Sequence, residues 1–199
     1  MLKKVAKAAP WLLLLLLAAV NLSLLRQNRQ MRGALANARP AETERLQEGT
    51  PMPPFAGTNL AGETVQISYG PNAPRRALLF FTPTCPYCRQ QFAYWKELLK
   101  VAQSKHLEVF GLVDSREDKT RLESYLQEME CDAKARFPLQ VLLVTPEVKR
   151  QYKLQSTPNT ILVKADGSVE KEWLGLWQAD EIASAATSLE LRLTAPWFS

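Results

Sequence analysis

The sequence is poor in the residues that bind metal ions or cross-link small secreted proteins. Its 199 residues include three cysteines and one histidine. Three cysteines are too few for the framework of a disulfide-stabilised secreted domain. A structural zinc site takes about four Cys or His ligands, and the whole supply here is Cys85, Cys88, Cys131 and His106. Only Cys85 and Cys88 have ligand spacing, so we expect neither a metal site nor a cofactor.

A strong charge of either sign is also missing. Lys and Arg number 25 against 20 Asp and Glu, which gives a formal net charge of +5. No basic run is interleaved with aromatic residues, so the sequence predicts no nucleic-acid binding. Apolar residues make up 46% of the chain. This composition supports a buried core, and the length suits one ordinary domain plus an extension.

The longest apolar run lies near the N-terminus. Lys3, Lys4 and Lys7 precede the stretch Ala8 to Leu25, which contains WLLLLLLAAV. As a helix of roughly 18 residues it would be about 27 Å long, close to the thickness of the hydrocarbon core of a bilayer. No small-x-small cleavage pattern directly follows the run. The pattern therefore favours a single, uncleaved transmembrane helix over a signal peptide.

Basic residues on both sides of this span bear on its orientation. The N-terminal tail is short and basic, but Arg26, Arg29 and Arg32 follow the span, so the charge bias is nearly balanced. A short basic tail ahead of a single span usually stays in the cytoplasm. We therefore expect an inner or cytoplasmic membrane protein whose domain faces the periplasm or the cell exterior.

Three segments follow from this interpretation. Residues 1–32 are the anchor with its flanking basic residues, and residues 33–49 are a polar tether with little periodic apolar content. Residues 50–199 are the folded domain.

Strand and helix patterns alternate along the domain. Continuous apolar runs predict buried strands, and apolar residues at steps of three and four predict helices. In chain order the predicted elements are strand Ala77 to Phe81, a helix from Pro86, strand Leu107 to Val113, a helix through Leu122 to Met129, strand Leu139 to Val144, a short helix capped by Thr145, a hairpin turning at Asp166-Gly167 and a helix Asp180 to Leu193. This order implies a three-layer α/β/α domain.

The stretch FFTPTCPYCRQQF carries the most specific chemistry. Cys85 ends a strand-to-helix loop, and Pro86 suits the first position of a helix. Unpaired N–H groups and the helix dipole favour a thiolate there, so Cys85 is predicted to be the nucleophile. Cys88 lies one turn later on the apolar face of the helix, which predicts a buried resolving thiol.

At these residues the chain resembles the thioredoxin superfamily, and in particular the membrane-anchored TlpA/ResA-like redoxins. CPYC is similar to their redox motif, and PMPPFAGTNLAGETVQI resembles the β-hairpin that they add before the core. The stretch YKLQSTPNTILVKADGSV resembles the family segment with a cis-proline facing the motif. The resemblance implies a redox-active disulfide between Cys85 and Cys88, with Pro158 as the cis-proline. It also implies that the backbone of Thr157 pairs with a bound peptide.

Two positions depart from thioredoxins proper. Leu79 stands where those proteins have a buried acid on the strand before the motif, and Thr84 stands where a tryptophan often precedes the first cysteine. The sequence therefore identifies no proton acceptor near Cys88.

Two other functions remain open on the sequence. TPTC satisfies the Thr-x-x-Cys of peroxiredoxins, which would make Cys85 peroxidatic, although Leu78 stands where a proline is usual in that family. The chain could instead be a redox-inactive, membrane-tethered binding module.

The preferred function is disulfide exchange with the thiols of exported proteins, such as apocytochrome c or another client, supported by an upstream redox partner. The direction of exchange is not readable from sequence, because the potentials of such dithiols span roughly −270 to −120 mV.

Overall fold

The computed structural model describes residues 17, 20–24, 26–27, 45–102, 104, 106–136 and 138–189. The chain divides into two units, residues 1–43 and 44–199. The described residues of the first unit are helical. Most of the predicted span Ala8 to Leu25, and the predicted tether up to residue 44, lie outside the described residues. Within the described ranges, no helix has the length and apolar content needed to cross a bilayer.

The second unit contains seven strands and four helices among its described residues. In chain order they are β1 (Phe55–Asn59), β2 (Thr64–Ile67), β3 (Arg75–Phe80), α1 (Pro86–Ala102), β4 (Leu107–Asp114), α2 (Lys119–Glu128), β5 (Gln140–Val144), α3 (Pro146–Gln151), β6 (Asn159–Val163), β7 (Val169–Leu174) and α4 (Ala179–Ser188). The predicted order of strands and helices is confirmed. The C-terminal helix is described only to Ser188, and the predicted continuation to Leu193 lies outside the described residues.

All seven strands form one sheet, in the order β2-β1-β5-β4-β3-β6-β7. The three central strands β5, β4 and β3 are parallel. The hairpin β1–β2 joins one side through the antiparallel pair β1–β5, and the hairpin β6–β7 joins the other through the antiparallel pair β3–β6. The predicted N-terminal hairpin is therefore present, and it extends the sheet beyond its parallel centre.

Apolar side chains cover both faces of the sheet. On β3, Ala77 and Leu79 belong to the core that packs against α1, α2 and α4. Leu78 and Phe80 belong to the core on the opposite face, which includes Val148 of α3. Alternate residues of a strand point to opposite faces, so a continuous apolar run is what a strand buried on both faces requires. The three-layer α/β/α architecture is confirmed.

The folded unit begins before residue 50, which corrects the predicted start of the domain. Leu46 is buried, and its backbone N–H donates to Glu172 Oε2 at 2.7 Å. The Gly49 N–H donates to the Val169 carbonyl at 2.7 Å. These bonds lay the end of the predicted tether along β7. The polar composition of AETERLQEG hid this contact, because one buried leucine is too little for a periodicity signal.

A buried hydrogen bond ties the motif helix α1 to the sheet. Trp95 is fully buried, and its Nε1–H donates to Thr160 Oγ1 on β6 at 3.0 Å. Thr160 is itself 1% exposed and lies opposite Leu79 in the sheet. A buried indole N–H usually has a partner, and here the partner ties α1 to β6.

Replacing Thr160 by Val tests the contribution of this bond. Thr160→Val keeps the side-chain shape but leaves the Trp95 N–H without its acceptor, which should lower the free energy of unfolding by about 1–3 kcal/mol. Urea unfolding measures the change. Thr120→Val, at an exposed position of α2, is the matched control and should change stability by no more than about 0.5 kcal/mol. Equal effects of the two substitutions would contradict this account.

Candidate functional site: a dithiol facing a cis-proline loop

The loop after β3 delivers Cys85 to the N-terminus of α1. Strand β3 ends at Phe80, and α1 begins at Pro86. The Cys85 N–H donates to the Thr82 carbonyl at 3.1 Å, which closes a tight turn just before the helix. Pro86 has no N–H to leave unpaired in the first turn, which is why it suits this place. The chain thus turns from the carboxyl edge of a parallel strand directly into the helix that carries the dithiol.

The two cysteines of the motif differ in exposure. Cys85 is partly exposed, whereas Cys88 is 0% exposed and packs in the core with Phe92 and Trp95. Both thiols are free in this structure. The difference follows from the helix, because position 88 shares the inward face with positions 92 and 95. The burial of Cys88 expected from the sequence is confirmed.

The environment of Cys85 lowers its pKa. Burial acts in the opposite direction and is the largest single influence, because it disfavours a charged thiolate. Hydrogen bonds from Thr157, from the Cys88 thiol, and from the backbone of Cys88 and Tyr87 outweigh it. The result agrees with the predicted direction. The cause differs from the one predicted, because individual hydrogen bonds to the Cys85 sulfur, rather than the helix dipole alone, lower its pKa.

The environment of Cys88 has the opposite effect. Burial, and to a smaller extent the neighbouring Cys85, raise the pKa of its thiol to about 12. Hydrogen bonds from the backbone of Thr82 and from Thr157 act in the other direction but do not compensate. The geometry therefore pairs an accessible thiol whose pKa is lowered with a buried thiol whose pKa is raised.

A cis peptide bond joins Thr157 to Pro158, opposite the motif. The Cys85 Sγ lies 3.5 Å from the Thr157 carbonyl oxygen and donates to it. The Pro158 carbonyl accepts from the Gly175 N–H at 2.8 Å. Gly175 has φ +91°, a left-handed conformation that favours glycine. The structure therefore brings together the four predicted site positions 85, 88, 157 and 158.

A surface groove of about 560 Å³ is lined by Tyr87, which is 57% exposed, and by Thr157 and Pro158. Its lining also includes Gly175 and Asp180. Thr157 connects the groove to Cys85, whose Sγ donates to the Thr157 carbonyl. An extended peptide placed here would have its backbone next to Thr157 and one sulfur within reach of Cys85.

Sequence reasoning missed Glu117. Its Oε2 accepts from the Thr82 hydroxyl at 2.9 Å, and Thr82 Oγ1 lies 3.2 Å from Thr84 Oγ1. Glu117 follows β4, the parallel neighbour of β3. Because carboxyl ends of parallel strands meet at one edge of a sheet, the acidic segment after Val113 was a signal that this carboxylate would lie near the motif.

The remaining sequence candidates lie apart from this chemistry. Cys131 is buried, its Sγ donates to the Met129 carbonyl at 3.3 Å, and burial raises its pKa to about 11. His106 is exposed. Arg89 forms an ion pair with Glu128 and lies over the Tyr125 ring. In the part of the chain that the structure describes, no group of three or more His, Cys, Asp or Glu side chains is arranged to hold a metal ion.

Comparison with known proteins places this fold and motif in a family. The chain matches the AhpC/TSA family over residues 49–172, which is more than half of its length. The chain belongs to the AhpC/TSA family. The predicted resemblance to the thioredoxin-like redoxins is thereby confirmed, and the AhpC/TSA match contains Cys85, Cys88, Thr157 and Pro158.

Individual relatives of this AhpC/TSA protein share the fold. Sporulation thiol-disulfide oxidoreductase A of Bacillus subtilis (strain 168) is 25% identical over 145 residues, covering 71% of this chain and 82% of that protein. The crystal structure of StoA from Bacillus subtilis has a TM-score of 0.51 at 18% identity and covers 68% of this chain and 97% of that chain. The thioredoxin domain of a thiol-disulfide oxidoreductase from Bacteroides vulgatus has a TM-score of 0.56 at 18% identity and covers 72% and 98%.

Alkylation as a function of pH tests the contrast between the thiols. In the reduced protein, iodoacetamide should label Cys85 first, with a rate that rises through a pKa below the free value of about 8.5. Because the pKa of Cys88 is about 12 and its side chain is buried, Cys88 should stay unlabelled over the same pH range. Mass spectrometry of peptides gives both rates. Cys85→Ser is the control, and rapid labelling of Cys88 in the folded wild type would contradict the assignment.

Proposed function

We propose that this AhpC/TSA protein is a membrane-anchored thiol-disulfide oxidoreductase that exchanges disulfides with the thiols of exported proteins. The single observation that supports it is the dithiol itself: an accessible Cys85 with a lowered pKa, a buried Cys88 with a raised pKa, and a cis-proline loop within 3.5 Å of the first sulfur. The relatives named thiol-disulfide oxidoreductases have the same fold. The enzyme class is therefore thiol-disulfide oxidoreductase of the thioredoxin-like type.

The exchange has two steps. In the reducing direction the Cys85 thiolate attacks one sulfur of a client disulfide, forms a mixed disulfide and releases the other client sulfur as a thiolate. Cys88 then loses its proton to solvent and attacks the Cys85 sulfur, which releases the client's second thiolate and leaves a Cys85–Cys88 disulfide. An upstream dithiol partner restores the reduced state. The oxidising direction is the same sequence in reverse.

The groove beside Cys85 supports a protein client. Thr157 and Pro158 line it, and the Thr157 carbonyl lies 3.5 Å from the reactive sulfur. Backbone pairing with an extended segment gives affinity that depends little on sequence. In this proposal Thr157 and Pro158 bind the client, Cys85 attacks, and Cys88 releases.

The position of Thr82 argues against a peroxidase. In the Thr-x-x-Cys alternative the threonine would serve the reaction at Cys85. Here its hydroxyl is engaged with Glu117 and Thr84. Cys88 also lies one helical turn from Cys85. It can therefore form an internal disulfide by attacking a mixed disulfide at Cys85, and this step needs no peroxide.

Substitution of each cysteine should separate the two steps. Cys88→Ser should accumulate disulfide-linked adducts with client proteins, because the mixed disulfide forms and nothing displaces it. Cys85→Ser should accumulate few, because the remaining thiol is buried. Non-reducing gels of cells expressing each full-length variant, with and without reductant, give the measurement.

Three outcomes would count against this mechanism. Adducts that persist after Cys85 and Cys88 are both replaced, and disappear only when Cys131 is also replaced, would assign them to Cys131. More trapping by Cys85→Ser than by Cys88→Ser would reverse the assigned roles. A sulfenic acid formed at Cys85 with peroxide, in the absence of adducts, would favour the peroxidase.

The membrane location rests on the sequence of the N-terminal segment. Ala8 to Leu25 is long and apolar enough for one span and lacks a cleavage pattern. In this proposal the span stays on the mature protein and the domain faces the periplasm or the cell exterior, where client disulfides persist.

Fractionation tests the location. The full-length protein should sediment with membranes and resist extraction by high salt, because a hydrocarbon-spanning helix is not held by charge. A variant with Leu15→Arg and Leu16→Arg should lose this behaviour, since each charge at the centre of a span costs about 2.5–3.5 kcal/mol. Lys3→Gln, outside the apolar run, is the control. N-terminal sequencing that finds a mature start near Ala36 or Asn37 would contradict the proposal.

A further inference from the structure

Thr82 lies in the loop between β3 and the dithiol helix, and its backbone is bonded to Cys85. Its carbonyl accepts from the Cys85 N–H at 3.1 Å. Its backbone also acts to lower the pKa of the buried Cys88 thiol, against the larger effect of burial. A shift of Thr82 would therefore move the turn that places Cys85 and change the surroundings of Cys88.

The Thr82 side chain is held by a carboxylate. Its hydroxyl donates to Glu117 Oε2 at 2.9 Å. The Glu117 side chain is 15% exposed, and its other close charged neighbour is Arg121, whose Nη1 lies 3.8 Å from Oε1. A hydrogen bond to an ionised acceptor is roughly twice as strong as one between neutral groups. The bond to Glu117 therefore restrains the position of Thr82 in the loop.

Other charged groups near Glu117 are already engaged. Asp114 accepts from Arg116 at 2.7 Å and from Lys149 at 2.6 Å. The surface depression of about 630 Å³ that contains Thr82 and Glu117 is lined by the charged residues Asp114, Arg116, Glu117, Asp118, Arg121 and Lys149, and it reaches Thr157 of the cis-proline loop. Among these described residues, Glu117 is the carboxylate that is bonded to the motif loop.

We propose that Glu117 is a positioning residue for the second step of exchange. Through the Thr82 hydroxyl it holds the loop whose backbone closes the turn at Cys85. This role rests on the proposed function and adds a residue outside the motif to it.

The second step depends on this alignment more than the first. In the first step a disulfide reagent approaches the exposed Cys85 from solvent. In the second step the Cys88 sulfur forms a bond to the Cys85 sulfur while the bond from Cys85 to the leaving thiol breaks. Both reacting sulfurs then belong to the protein, so a small displacement of the loop lowers the rate.

A disulfide reagent with a coloured leaving group separates the steps. 5,5′-Dithiobis(2-nitrobenzoate) releases one thionitrobenzoate when Cys85 attacks and a second when Cys88 closes the internal disulfide. In the full-length protein with Cys131→Ala, Glu117→Gln should slow the second release about fivefold and leave the first within about twofold, as expected when a charge-assisted bond becomes a neutral one. Stopped-flow absorbance measures both rates.

Variants of Thr82 show whether Glu117 acts through this residue. Thr82→Val should slow the second release to a similar extent, because it removes the donor, and Thr82→Ser should keep the wild-type rate. Combining Glu117→Gln with Thr82→Val should give no further slowing, since both remove the same bond. Glu123→Gln is the matched control: it also breaks an i,i+4 ion pair at 3.8 Å, in this case one within α2, and it should leave both rates unchanged.

Four outcomes would overturn the proposal. The first is a second release in Glu117→Gln that equals the Glu123→Gln rate. The second is a double variant whose slowing is the product of the single effects. The third is an equal slowing of both releases together with a lowered midpoint of urea unfolding, which would indicate a merely structural role. The fourth is a wild-type protein that releases only one equivalent, which would contradict the proposed dithiol function as well.

Discussion

Burial of one face of α1 is the constraint on which the site depends. Trp95, Phe92 and Cys88 lie on that face, and Trp95 is bonded to Thr160 in the sheet. Once the face is fixed, the helical period sets the second cysteine in the core and the first at the exposed N-terminal end. Packing then raises the pKa of the buried Cys88, whereas hydrogen bonds from Thr157 and from the start of the helix lower the pKa of Cys85.

The polar part of the site comes from the carboxyl edge of the sheet. The motif loop follows β3, Glu117 follows β4, and the cis-proline loop precedes β6, the antiparallel partner of β3. These segments converge because parallel neighbours end at the same edge while an antiparallel neighbour begins there. Convergence of loops at this edge is how open α/β sheets build sites. Here it places hydrogen-bond donors at one sulfur and a carboxylate-held threonine beside the other.

Much of this arrangement was accessible from the sequence. The buried run around Leu79 and the recurrence of Cys88, Phe92 and Trp95 depend on local periodicity, and both predict their structure correctly. Thr157 and Pro158 were found by resemblance, because nothing local marks a cis bond. Glu117 was missed, since its role depends on which strands are neighbours. Leu46 was missed because a single buried residue in a polar segment carries no period.

The turn after β7 joins the cis-proline loop to helix α1, and Pro158 of that loop and Tyr87 of that helix both line the groove. The Gly175 N–H is bonded to the Pro158 carbonyl, and the Trp177 N–H donates at 3.0 Å to Oε1 of Gln91, a buried side chain of α1. One short segment thereby spans from the cis-proline loop to the dithiol helix. A change in the length of this segment would alter the spacing between the two without replacing either cysteine.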